Sequence, residues 1–239
     1  MRRRYSYSDQ KSNRHRKQWI ILEVLVFFLI YSSFTSLAFS MRVLENNTMA
    51  PNLLAGDRLV FSSYNVYSLI PGLVMEREPY PFGRGNVVLV EMFRTEKPSL
   101  ITSILDNFVR FFTAQKVSLL DQKEHLFMKR VIGLPGDEIT MNNYVIRVKA
   151  RGSAYSLTEF EVSEQDYTLD IPQAPAIWDS SLPFSGNMDR IVLGENECFV
   201  LSDDRSNTND SRTWGPVPTR NIIGKALFRY WPFTRLGRP

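Results

Sequence analysis

Cysteine is all but missing from this sequence. Cys198 is the single one among 239 residues, which excludes an intrachain disulfide and any cysteine-based metal cluster. Histidine is nearly as scarce, and His15 and His125 alone argue against a zinc site, so no metal or other cofactor is expected. Acidic residues are almost lacking before the first apolar run. There Asp9 stands alone among Arg2, Arg3, Arg4, Lys11, Arg14, Arg16 and Lys17. The formal net charge of +4 therefore sits in an N-terminal tail, and the remainder is close to neutral. A basic tail is not a basic folded face, so nucleic acid is excluded as the expected partner.

Internal repeats and low-complexity tracts are also lacking, and one long apolar run stands out. Trp19–Phe39 reads WIILEVLVFFLIYSSFTSLAF. It has the length of about 20 residues that a spanning helix needs. Glu23 lies in its first turn, within reach of the headgroups. The competing reading is a cleaved signal peptide, since Ser36, Leu37 and Ala38 place small residues at the right spacing. Signal-peptide apolar regions are shorter, about 7 to 15 residues, which favours an uncleaved anchor. The cationic tail predicts a cytoplasmic N-terminus, with everything after Phe39 on the far side of the membrane.

Beyond residue 40 the pattern is mainly β. Short β-branched or aromatic runs at Arg58–Phe61, Asn86–Val90, Phe127–Ile132, Tyr144–Val148, Cys198–Leu201 and Ile222–Tyr230 are punctuated by Gly, Pro, Asn and Asp. One segment departs from this. Leu100, Ile101, Ile104, Leu105, Phe108, Val109 and Phe112 recur at helical spacing and form one apolar face. Packing on the sheet accounts for that face; a place in the membrane interface also would, though Lys and Arg are few on its polar side. Ser153–Arg190, rich in Ser, Pro, Asp and aromatics, reads as an inserted small subdomain or a set of loops.

Three polar islands can carry chemistry. Thr48-Met49-Ala50-Pro51 with Gly56-Asp57 places an alcohol at a proline-stiffened corner shortly after the apolar run, which suits a bland loop or a nucleophile held over the lipid. Lys129 lies in the apolar strand FMKRVIGL. If its side chain points inward, desolvation lowers its pKa and makes a neutral amine available as base. The alternation of a strand puts Arg130 on the opposite face, free to meet solvent or an acid. An edge-strand charge is the plainer alternative for Lys129. The third island, Ser202–Gly215, suits a solvated loop held by Asx turns and an Asp210–Arg212 ion pair. Its Thr208 offers a hydroxyl able to orient an amine.

In order and wording these islands resemble the bacterial type I signal peptidases, membrane enzymes with a Ser–Lys dyad. The family pattern runs from an anchor to Ser-Met-x-Pro, an Arg-Gly-Asp-type strand, Lys-Arg-x-x-Gly-x-Pro-Gly-Asp, and a closing Gly-Asp-Asn-Arg-x-x-Ser-x-Asp-Ser-Arg-x-Trp-Gly. Here Thr48–Pro51 stands at the first motif, Arg84-Gly85-Asn86 at the second, and Lys129–Asp137 matches the third in full. Asp203, Arg205, Asn207, Asp210, Ser211, Arg212, Trp214 and Gly215 match the fourth. Arg229–Phe233 is similar to the family's terminal segment.

The departures fall at the chemical centre. Thr48 takes the place of the nucleophilic Ser, Asn46 that of a hydroxyl residue that helps form the oxyanion hole, and Thr208 that of the Ser that orients the Lys. Ser202, Asp204 and Asn86 replace Gly, Asn and Asp. Hydrogen-bonding chemistry is kept while shape changes; the extra methyl of Thr48 restricts χ1 and crowds the attacking oxygen.

The resemblance implies a membrane-anchored endopeptidase that removes signal peptides from exported preproteins. Thr48 and Lys129 would form the dyad, with Asn46 and the Thr48 N–H as the oxyanion hole. Thr208 would orient Lys129, and Asp210, Arg212 and Arg130 would support the site. Its implied partners are preproteins, the lipid bilayer of the bacterial cytoplasmic membrane and the secretion translocon. The implied layout is a tail (1–18), an anchor (19–40), and a β-rich catalytic core (41–149 with 191–239). An amphipathic insertion (93–126) and an inserted subdomain or loops (150–190) complete it. An inactive paralogue that binds signal peptides or export partners is the alternative. Kinship with soluble self-cleaving repressors conflicts with the Trp19–Phe39 run.

Overall fold

Short runs of Val, Ile, Leu and Phe, each closed by a turn former, become strands because branched side chains pack well on a pleated surface. In a computed structural model, the described residues are 16–24, 26–27, 38–63, 80–92, 126–172 and 186–239, with 102, 105, 106, 109, 113, 117 and 119 between them. The chain divides into two units, Met1–Leu37 with Ser99–Leu119, and Ala38–Pro98 with Leu120–Pro239.

In the first unit, residues 16–24 and 26–27 are helical and exposed, including Trp19, Ile20, Ile21, Leu22, Val24, Val26 and Phe27. Among the described residues no helix is long and apolar enough to cross a membrane. Of the rest of the expected anchor, residue 25 and residues 28–37 lie outside the described residues, as does most of the amphipathic 100–112 segment, whereas Phe39 and Ser40 belong to a strand rather than to a helix. Of that segment 102, 105, 106 and 109 are helical. Leu105 is exposed, whereas Asp106 is buried and accepts the Leu119 N–H at 2.6 Å.

The second unit is mainly β. Among its described residues the strands are β1 (Phe39–Val43), β2 (Arg58–Ser63), β3 (Val87–Glu91), β4 (Leu126–Gly133), β5 (Glu138–Asn142), β6 (Val145–Lys149), β7 (Leu157–Thr158), β8 (Met188–Val192), β9 (Glu197–Leu201), β10 (Val217–Pro218) and β11 (Ile222–Trp231). They form a seven-stranded sheet in the order β1-β2-β11-β3-β4-β9-β10 and a four-stranded sheet in the order β7-β6-β5-β8. Neighbouring strands are antiparallel throughout. The smaller sheet thus takes strands from both sides of residue 150.

Strand β4 lies inside the large sheet, between β3 and β9, and its last six residues are buried. Three apolar clusters surround it. Met128 belongs to one with Leu53, Leu59 and Phe61; Val131 to another with Val88 and Val200. Ile132 joins a third with Ile139, Ile146 and Phe199, which ties the two sheets together. Each such fully buried side chain contributes about 1.5–3 kcal/mol over its exposed state. The turn Leu134–Asp137 carries β4 into β5. Buried Asp137 closes it, accepting the Leu134 N–H at 2.8 Å and two bonds from Arg84 at 2.9 and 2.8 Å.

Candidate active site

Lys129 and Arg130 are consecutive in β4, so their side chains leave opposite faces of the sheet, and both are buried at 1% exposure. Each finds a partner just past the end of β9. The β4–β9 register pairs Arg130 with Leu201 and Val131 with Val200; one step further places Ser202 opposite Lys129. Directly opposed side chains lie within contact distance. Accordingly, Lys129 Nζ donates to Ser202 Oγ at 2.7 Å.

On the other face, Arg130 grips Asp203, Nε to Oδ1 at 2.7 Å and Nη2 to Oδ2 at 2.6 Å. Its Nη1 donates to the Gly85 carbonyl at 2.5 Å, and its guanidinium lies over the Tyr167 ring at 4.1 Å.

Burial pushes the Lys129 amine down from 10.5 to about 8. Asp210, Asp203 and Asp204 pull the other way, and Arg212 adds to the fall. The fall brings the neutral amine, the form that accepts a proton, within reach of mildly alkaline pH.

The loop after Ser202 is held from within. Asp210 caps the short helix α1 (Ser211–Trp214), accepting the Arg212 N–H at 3.1 Å and reaching back to the Ser202 N–H at 3.0 Å. Arg212 also donates Nε and Nη2 to Asp210 at 2.9 and 2.8 Å, and its Nη1 to the Arg205 carbonyl at 2.9 Å. Desolvation opposes ionisation of Asp210, but these Arg212 bonds and the Ser202 N–H outweigh it and hold the carboxyl below its usual range. The Asp210–Arg212 pair therefore fixes the shape of the loop.

Thr48 sits half-buried at the corner between β1 and β2, and the neighbouring Met49 side chain is fully buried. The corner is fastened to the same loop. Asp204 donates its N–H to the Thr48 carbonyl at 3.1 Å, and Asn52 donates to Asp203 at 2.8 Å. Three consecutive residues, Ser202 to Asp204, thus touch Lys129, Arg130 and Thr48.

The alcohol of Thr48 donates to Asn46 Oδ1 at 2.7 Å, and the Thr48 N–H reaches the same oxygen at 3.3 Å. Among the described residues no hydrogen bond joins Thr48 Oγ1 to Lys129 Nζ. Thr208 is engaged through its carbonyl, which accepts the Asp210 N–H at 2.8 Å and Thr213 Oγ1 at 2.6 Å. Sequence reasoning passed over Ser202 because its place depends on the β4–β9 register, which no local pattern encodes. Among the described residues no cluster of His, Cys, Asp and Glu could hold a metal ion.

A buried amine of lowered pKa and an alcohol fastened to the same loop are the residue types that acyl transfer uses. Residues 16–231 match the family described as signal peptidase, peptidase S26. Similar proteins include signal peptidase I of Leptolyngbya laminosa, 29% identical over 202 residues, which are 82% of this chain and 70% of that protein. A probable signal peptidase I-1 of Synechocystis is 33% identical over 47% of this chain and 46% of its own length. Thylakoidal processing peptidase 1 of Arabidopsis thaliana is 31% identical over 45% of this chain and 25% of its own length. The chain is thus a member of the peptidase S26 signal peptidase family.

Proposed function

We propose that this protein is a membrane-anchored endopeptidase that cuts signal peptides from exported preproteins outside the cytoplasmic membrane, using Thr48 and Lys129. The observation that carries this reading is the burial of Lys129 in β4, with its amine pushed down to about 8 and bonded to Ser202, whose loop also holds the Thr48 corner. The relatives named signal peptidase I supply the substrate class. The exposed apolar side chains of the 16–27 helical residues support an N-terminal anchor.

Thr48 Oγ1 attacks the scissile carbonyl carbon while neutral Lys129 takes its proton. The oxyanion replaces Asn46 Oδ1 as acceptor of the Thr48 N–H, and the Asn46 amide nitrogen turns in as a second donor. Collapse breaks the peptide C–N bond, with the Lys129 proton passing to the leaving amine. Water, deprotonated by Lys129, then attacks the threonyl ester, and the Lys129 proton passes to Thr48 Oγ1 as the ester C–O bond breaks, which restores the alcohol and the neutral amine. The Arg130–Asp203 and Asp210–Arg212 pairs hold this arrangement without touching the substrate.

The Thr48–Asn46 hydrogen bond favours a second reading, a non-catalytic relative that binds signal peptides, because the nucleophile's proton is committed away from the base. A cleavage assay of the purified protein in detergent on a preprotein separates the two. Catalysis predicts cleavage by the wild type, none by Thr48→Ala or Lys129→Ala, and undiminished or faster cleavage by Thr48→Ser. Cleavage that survives Thr48→Ala refutes the nucleophile. No cleavage by the wild type, with signal-peptide binding retained, establishes the second reading.

A further inference from the structure

The hydroxyl that meets Lys129 is not at position 208, where the family resemblance puts the orienting residue, but at position 202. Ser202 is fully buried, so it meets no substrate and is no nucleophile. Its backbone is pinned on two sides, by the strand register that sets it opposite Lys129 and by the Asp210 carboxylate on its N–H. Its Oγ lies 3.5 Å from Asn207 Oδ1, a long contact to an oxygen that accepts but cannot donate. The Ser202 proton turned that way leaves the Oγ lone pairs facing Nζ.

The direction of this bond matters. A base must keep its own lone pair unshared until it takes the substrate-derived proton. An orienting group that donated to the amine would occupy that lone pair; one that accepts an N–H fixes the nitrogen and leaves it open. Ser202 is built to accept.

We propose that Ser202 is the positioning residue for Lys129, accepting one N–H of Nζ so that the nitrogen's lone pair stays open to the Thr48 proton. The role rests on Lys129 being the general base. Asp210 acts one step further out, by fixing Ser202. The position at which the resemblance shows Gly has here taken over the work of the position now held by Thr208.

The charged groups that act on Lys129 are Asp210, Arg212, Asp203 and Asp204, all in the segment that follows Ser202, with Asp203 turned to Arg130 on the other face and the Trp214 ring centroid 5.8 Å from Nζ. A hydrogen bond to the ammonium is stronger than one to the neutral amine. Losing the Ser202 acceptor therefore lowers the Lys129 pKa further. Loosening of the loop does the opposite, because water readmitted to Nζ relieves the desolvation that dominates the shift and raises the pKa toward 10.5.

The test uses the full chain in detergent, with preprotein cleavage followed against pH and the Lys129 side chain titrated by NMR in 13C-lysine-labelled protein. Ser202→Ala is expected to lower kcat about ten- to a hundred-fold with KM unchanged, the loss of one charge-assisted hydrogen bond. The NMR titration midpoint of Lys129 should move below its wild-type value, and Ser202→Thr should restore both. An upward move of the midpoint in Ser202→Ala assigns Ser202 to packing alone and overturns the proposal. So does a greater loss of kcat from Thr208→Val than from Ser202→Ala. Wild-type kcat in Ser202→Ala, with Lys129→Ala inactive, overturns Ser202 and leaves the dyad standing. Cleavage that survives Lys129→Ala removes the dyad, and the role of Ser202 with it.

Discussion

Arg130 and Asp203 face each other as two parallel hydrogen bonds, Nε to Oδ1 and Nη2 to Oδ2, with side-chain exposures of 1% and 0%. The pair joins β4 to the loop that follows β9 on the side of the sheet away from Lys129. Removing one partner leaves the other charged and buried, at a cost of about 3–5 kcal/mol. Asp203→Ala should therefore lower the free energy of unfolding by that order in chemical denaturation. A loss under about 1 kcal/mol, typical of exposed pairs, would show that water reaches the guanidinium.

Cleavage should rise with pH through the Lys129 titration, centred near pH 8, because only the neutral amine accepts a proton. Lys129→Arg should be inactive at every pH, since guanidinium stays protonated. A rate profile flat from pH 6 to about 9 would mean that the base is another group.

The same titration acts on stability. The folded amine titrates at about 8 and the unfolded one near 10.5. Below pH 8 both states are charged, and burial of that charge weighs against folding. Between 8 and 10.5 the unfolded chain holds a proton that the folded chain has released, so this group's contribution rises with pH. Lys129→Met should be the more stable protein at pH 7, and its advantage should shrink by roughly 3 kcal/mol by pH 10.5. An advantage independent of pH, read from denaturation curves of the two proteins, would rule out the burial penalty.

Gly224 lies in β11 where a Cβ would come 2.5 Å from the Ser62 carbonyl oxygen of β2. Backbone cannot swing aside as a side-chain tip can. Gly224→Ala should cost about 1–3 kcal/mol by forcing the two strands apart. A denaturation midpoint matching the wild type would show that β2 and β11 tolerate the shift.

Much of the sheet was readable because β2, β3, β4, β6, β9 and β11 are each a concentrated run of β-branched or aromatic residues. Strand β5 was not, since Glu138–Asn142 follows the Pro-Gly-Asp turn at once and mixes polar residues with Ile139 and Met141. Strand β8, Met188–Val192, overlaps a stretch that reads as loops, and its half-exposed residues give no hydrophobic signal. Tyr144, expected at the head of β6, sits instead in the β5–β6 turn with Asn143, both at positive φ. At the candidate site, Asp210 and Arg212 are two positions apart, so their pairing is local. Ser202 and Lys129 are brought together by a register between distant strands, and neither run taken alone contains it.

Strands β4 and β9 are immediate neighbours in the large sheet, yet the whole small sheet is strung between them. Both ends of that excursion are clamped a strand's width apart. Its length can therefore change without altering the span it must bridge, and loop-closure entropy grows only slowly with such a change. The pairing that sets Ser202 against Lys129 is therefore fixed by β4 and β9 and not by the length of the excursion. Residues added to or removed from the excursion leave the proton-transfer geometry where β4 and β9 put it, so long as the third apolar cluster and the Tyr167–Arg130 contact are kept.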